Sequence, residues 1–211
     1  MRIAGWCVMT LLALLVAAYA ITLSVVPAFR PELVQIHFAQ RPVAVLAHFL
    51  GGGVAMAIGA FQLHARLRTR FLTVHRWAGR IYVIAVLVGG VGGLTLAVNT
   101  SAGPVAQWGF GLLAVAWLAS TLNAWRHVRD RNFAQHRAWM IRSYALTLAA
   151  VTLRIYLPAS MIAGLPMDVA YPAIGWLCWV PNLLLAEAFV RSRSISPAPA
   201  SPDRVTAPTI P

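Results

Sequence analysis

Lysine is absent from this chain of 211 residues, and only five residues are acidic: Glu32, Asp130, Asp168, Glu187 and Asp203. All seventeen basic residues are therefore arginine. Charged residues make up 10% of the chain, against about 25% in an average soluble domain, which excludes an ordinary water-soluble fold. The two cysteines, Cys7 and Cys178, lie far apart inside apolar runs. With no CxxC pair, neither a disulfide framework nor a thiolate metal site follows. HExxH and DxxD motifs are missing, as is any Ser-His-Asp constellation, and no acid accompanies the histidines. A membrane enzyme acting on lipids or quinones therefore has no motif to rest on. The strict alternation of a membrane barrel strand is absent too.

What remains is apolar. Hydrophobic residues make up 60% of the chain, and the mean hydropathy is +0.72. Six segments, near 4–26, 43–64, 78–98, 105–125, 139–162 and 170–190, approach the roughly 20 helical residues that cross a hydrocarbon core of about 30 Å. Lipid offers the backbone no hydrogen-bond partners, so the expectation is an all-α bundle of six transmembrane helices. The first segment starts like a secretory signal, with Arg2 before an apolar run and Ala18-Tyr19-Ala20 as a small-residue site. Its run continues through Val26, too long for a typical signal, so it is read as a retained helix. Residues 1–190 form the membrane domain. Residues 191–211, rich in Pro, Ser and Ala without periodicity, read as a disordered cytoplasmic tail.

The net charge of +12 is unevenly placed. Arg2, the 66–80 and 126–142 connections and the tail hold fourteen arginines, all on one side if six helices alternate. Arg30 and Arg41 lie on the other side, and Arg154 lies within a helix. The positive-inside rule places the rich side and both termini in the cytoplasm of a bacterial inner membrane. Anionic lipid headgroups are then the expected partner of the arginine loops, rather than nucleic acid. The sequence leaves oligomeric state open.

Part of the pattern is duplicated. Arg68-x-Arg70-x4-His75-Arg76 matches Arg129-x-Arg131-x4-His136-Arg137, and with one inserted residue Arg80-x-Tyr82 matches Arg142-x-Tyr144. Helices two and three thus resemble four and five, as a parallel pseudo-repeat. It gathers four histidines, His64, His75, His127 and His136, into one layer at the cytoplasmic side, as candidate ligands of haem iron or another metal. His48, toward the opposite end of its helix, shares one helix face with Ala55 and Gln62, the latter some 21 Å away, and Arg154 falls at about the depth of His48, some 18 Å beyond Arg142. Arg154 has no counterpart in the first hairpin and no carboxylate at its depth. Gly89 and Gly93 form a GxxxG face, read as close helix packing or as room for a flat cofactor beside His48. Pro181-Asn182 marks a kink at which Asn182 bonds a freed carbonyl, and Glu187 pairs with Arg191. Paired Gly/Pro breaks, the mark of a transporter site, are not evident.

His48-Phe49, Gly59-x2-Gln62, His75-Arg76-x2-Gly79-Arg80-x-Tyr82 and HRAWMIRSYALTLAAVTLR from His136 to Arg154 resemble bacterial membrane proteins of domain-of-unknown-function family 2306, over about residues 40–190. That family implies no established activity. A looser similarity is to transmembrane b-type cytochromes, which hold haem between histidines of facing helices. It implies a haem-binding electron-transfer protein with haem b on His75 and His136, and Arg80, Arg142 or Arg154 at the propionates. His48 alone in the outer half does not make a bis-histidine site there. Two readings stand beside it: a small-molecule transporter or channel-like protein using the buried Arg154, and an accessory or structural membrane protein without ligand.

Overall fold

The structure, a computed structural model, describes residues 3–194, and every regular element among them is helical. In chain order these are α1 (Ile3–Val25), a single 3-10 turn (Pro27–Phe29), α2 (Glu32–Gln40), α3 (Pro42–Gln62), α4 (Ala65–Arg70), α5 (Leu72–Val98), α6 (Gly103–Arg129), α7 (Phe133–Thr147), α8 (Ala149–Ile162), α9 (Met167–Leu177) and α10 (Val180–Ser194). Six stretches are long and apolar enough to cross a membrane: Ile3–Val25, Pro42–Gln62, Leu72–Val98, Gly103–Arg129, Phe133–Ile162 and Met167–Ser192. The molecule is a helical membrane bundle. Its exposed surface agrees, since Ile3, Ile84, Leu184 and Leu185 are all more than 60% exposed, on faces that lipid rather than water would cover. Residues 191–194 continue α10, and the expected disordered segment 195–211 lies outside the described residues.

Helix ends follow local chemistry. Pro42 opens α3 and a proline sits in the first turn of α6, where a missing N–H costs no hydrogen bond. The Asn132 side chain caps α7 by accepting from the Gln135 N–H at 3.2 Å. Just before it, Arg131 takes the left-handed conformation (φ 58°). There the Asn132 N–H closes on the His127 carbonyl at 2.8 Å, ending α6 as glycine usually does. Both helices that follow arginine-rich loops begin earlier than hydropathy suggests, α5 at Leu72 and α7 at Phe133. Arginine propagates a helix well and can keep its head at the interface while its stem packs, so His75-Arg76 and His136-Arg137 stand on first turns.

Two spans carry a local irregularity, the sixth beside the expected Pro181-Asn182 kink and the fifth against the expectation. The fifth breaks at Leu148, between α7 and α8, and the sixth at Cys178–Trp179, between α9 and α10. Asn182 joins the two breaks: its Nδ2 donates to the Cys178 carbonyl at 3.1 Å, the Thr152 hydroxyl at 3.0 Å and, more weakly, the Ala145 carbonyl at 3.4 Å. One amide thus serves carbonyls beside both breaks, the remedy that lipid demands of broken helices.

α3 and α5 make the closest helix pair. A Cβ on Gly51 would lie 2.6 Å from the Ala85 carbonyl oxygen and the Gly89 nitrogen, so the two backbones touch. α1 lies on α3, α6 packs between α5 and α7, and α9 covers α6. At the centre are Tyr82, Tyr144, Met56, Val86, Trp117 and Leu146, all buried.

Candidate functional site

The bundle carries polar side chains at three depths. At the arginine-rich end the ion pair Arg142–Glu187 ties α7 to α10 at 2.7 Å, and Glu187 also takes Arg191 at 2.8 Å. The Glu187–Arg191 contact is the expected one-turn pair, while Arg142 adds a partner 45 residues away. Arg142 also lies over the Trp139 ring (4.8 Å), and Arg80 lies over Trp77 in the same way (4.6 Å). The duplicated pattern is therefore Trp-x2-Arg-x-Tyr, at Trp77 to Tyr82 and Trp139 to Tyr144. The tryptophans went unread because an interfacial tryptophan is common in any membrane protein.

The inner histidines are divided among different tasks. His75 is partly buried, within electrostatic range of His136, Arg68 and Arg76. The His136 Nδ1 is 2.9 Å from the Ala124 carbonyl, and since a carbonyl only accepts, Nδ1 carries the proton. His64 packs on Trp6 with ring centroids 4.6 Å apart. His127 stands in the last turn of α6. Among the described residues no three His, Cys, Asp or Glu side chains gather as a metal site.

The middle layer holds a buried hydroxyl network. The Tyr82 hydroxyl lies 2.8 Å from Ser143 Oγ and 3.0 Å from Thr147 Oγ1. Trp117 Nε1 donates to Thr147 Oγ1 (2.9 Å), Thr147 donates to the Ser143 carbonyl (3.0 Å), and Thr121 Oγ1 is 2.6 Å from Ser143 Oγ. These groups are saturated by one another, as polar side chains deep in a membrane protein must be. Tyr144, the counterpart of Tyr82, donates from its hydroxyl to the Met56 carbonyl at 3.2 Å. Each tyrosine of the duplicated pair thus reaches into the other hairpin. Shifting Met56 by the repeat spacing of 61 (136 − 75) gives Trp117, which stands in the Tyr82 network.

The outer half holds the least satisfied group. Arg154, partly buried on α8, turns back along its own helix, and Nη1 donates to the Ala150 carbonyl at 2.9 Å. It does not extend to the nearer interface as a snorkelling arginine does. Its guanidinium lies 5.2 Å from the Tyr19 ring of α1 and within electrostatic range of His48 on α3. Arg154 Nε is buried with no hydrogen-bond partner, and neither ion pair among the described residues involves it. His48 Nδ1 donates to the Gly89 carbonyl at 2.9 Å. The room left by Gly93 is filled by that imidazole, since a Cβ there would lie 2.7 Å from Nδ1. Tyr19 as a neighbour of Arg154 was not readable, because α1 is apolar on every side and offers no face by which to orient it.

A family model described as a predicted membrane protein, DUF2306, matches residues 45–190 of the chain. No curated protein and no solved structure matches it.

Proposed function

We propose a function from the premise that the chain belongs to the DUF2306 family of predicted membrane proteins: it is a transporter-class carrier that holds a small anion at Arg154. The observation that carries this reading is the buried Arg154 Nε, a donor of a permanent cation without a partner or an acid beside it. An uncompensated buried cation is costly, and an anionic ligand would satisfy both its charge and its open donor. Tyr19 and His48 stand close enough to share in holding that ligand. By the positive-inside rule the arginine-rich end faces the cytoplasm of a bacterial inner membrane and Arg154 lies toward the opposite side.

The test uses the detergent-purified protein and a panel of small carboxylates and inorganic phosphate. At least one anion should raise the melting temperature of the wild type, and Arg154→Gln should remove that rise while Arg191→Gln keeps it. Arg154→Met should melt at or above the ligand-free wild type, because it removes an unpaired buried charge. An Arg154→Met protein that melts well below the wild type would show the arginine to be structural and end this reading, as would a panel without effect. The stabilising anion should then exchange across proteoliposomes carrying the wild type and not across those carrying Arg154→Gln.

A second reading, haem-based electron transfer at His75 and His136, is favoured by one observation. The His136 Nδ1–H bond to a backbone carbonyl leaves Nε2 as the free lone pair, the arrangement that metal-ligating histidines use. Its test is the absorption spectrum of protein expressed with ample haem. A Soret band lost in His75→Ala and His136→Ala, and kept in His37→Ala, would support it; a colourless preparation would refute it.

A further inference from the structure

We propose that the outer groove between α3 and α5, at the end opposite the arginine-rich loops, binds one anionic phospholipid. Its acyl chain lies along the groove and its phosphate sits at Arg41. This site is separate from Arg154 and stands without the carrier reading.

The groove is an open depression of about 740 Å³ on the bundle surface, walled by exposed valines. It exists because the two helices touch through small residues. A Cβ on Gly92 would lie 2.7 Å from the Ala44 carbonyl, so the seam has a floor of backbone, Ala44, Ala47 and Gly92. Val43, Val88 and Val91 rise on either side of it. From Leu87 to Thr95, eight residues along α5, the groove runs about 12 Å, close to the roughly 15 Å depth of one leaflet, half of a 30 Å core. The length and the apolar lining suit a single acyl chain lying along the bundle.

The head of the groove supplies the charge. Arg41 stands at the entry to α3 and donates from Nη2 to Asn99 Oδ1 at 2.8 Å, across the mouth of the groove to the residue that ends α5. Its Nη1 donates to Gln40 Oε1 at 3.3 Å. Both acceptors are neutral amides, so the guanidinium is held in place with its charge uncompensated. The other cations at this end do not compete. Arg30, whose donors go to the Leu23 and Ser24 carbonyls at 2.8 and 3.0 Å and which stacks on Phe38, does not line the groove. Burial, and after it the charge of Arg41, hold His37 below the usual histidine value, so it is neutral at pH 7. One fixed cation at interface depth above an apolar channel matches a phosphate above an acyl chain.

Native mass spectrometry of the purified protein tests this, with phosphatidylglycerol or phosphatidylcholine added to the detergent. The wild type should retain one phosphatidylglycerol per chain, and phosphatidylcholine much less. Arg41→Gln should lower the retained phosphatidylglycerol about tenfold, and Ala47→Phe, which fills the floor, should abolish it. Arg191→Gln, at the other end and already paired with Glu187, should leave it unchanged. Equal retention of both lipids, wild-type retention in Arg41→Gln, or a loss in Arg191→Gln as large as in Arg41→Gln would each overturn the proposal. Melting temperatures identify a variant that misfolds, and if Ala47→Phe does, the Arg41→Gln result decides.

Discussion

Gly59 offers the sharpest test of the packing, because it faces both tyrosines of the duplicated pair. A Cβ at Gly59 would lie 2.4 Å from Cδ2 and Cε2 of Tyr144 and 2.9 Å from Cε2 of Tyr82. Carbon atoms pack at about 3.5–4.0 Å, so the Tyr144 ring must retreat by more than 1 Å. It has nowhere to go: the ring is 1% exposed, and its hydroxyl is tied to the Met56 carbonyl on the same helix as Gly59. Overpacking of a rigid core costs about 1–3 kcal/mol, and losing the Tyr144 hydrogen bond adds about 1 kcal/mol. The helical preference for alanine over glycine returns about 1 kcal/mol. The net expectation for Gly59→Ala is a loss of about 2 kcal/mol, a fall in melting temperature of roughly 4–8 °C. The measurement is a thermal melt in detergent followed by tryptophan fluorescence. Gly111→Ala is the matched control, since a Cβ there meets nothing within 4 Å, and it should melt at or slightly above the wild type. Gly59→Ala/Tyr144→Leu should recover part of the loss. A Gly59→Ala protein as stable as Gly111→Ala would refute the tyrosine contact.

Tyr82→Phe should cost more than Tyr144→Phe, about 1–3 against about 1 kcal/mol, as read by denaturant titration in mixed micelles. The Tyr82 hydroxyl serves two buried side chains, whereas Tyr144 serves one carbonyl at 3.2 Å; equal losses would contradict that difference. Arg131→Gly should raise the melting temperature, because the left-handed residue after α6 costs a non-glycine side chain roughly 1 kcal/mol. A lower melting temperature would mean that the Arg131 side chain holds the loop in some other way.

The spans were legible because twenty apolar residues in a row admit few other outcomes, and α1, α3 and α6 lie close to where hydropathy puts them. Glu187–Arg191 was legible because it is one turn of one helix, and the Asn182 bond because Pro181 announces a freed carbonyl. The break at Leu148 was not, since no proline or glycine stands there and the run reads as unbroken helix. Arg142–Glu187 and the Tyr82 network were hidden for another reason. Their partners come from different helices, and a serine or threonine in an apolar helix can equally bond its own backbone one turn back. Arg154 shows the useful side of this limit. Its lack of a carboxylate was readable along the chain, and the fold leaves its Nε without any partner at all.

The exchange of tyrosines also constrains how the protein is made. As each hairpin leaves the insertion machinery, Tyr82 arrives first, with the hydrogen-bond partners of its hydroxyl not yet synthesised. Ser143 and Thr147 follow two spans later and bring its hydrogen-bond partners with them. Insertion of the first half therefore leaves a polar group exposed until the second half docks. A nascent chain stopped before residue 143 would present that hydroxyl as an unfinished surface to membrane chaperones and proteases. The duplicated halves are thus not two modules placed side by side: neither is complete until the other has arrived.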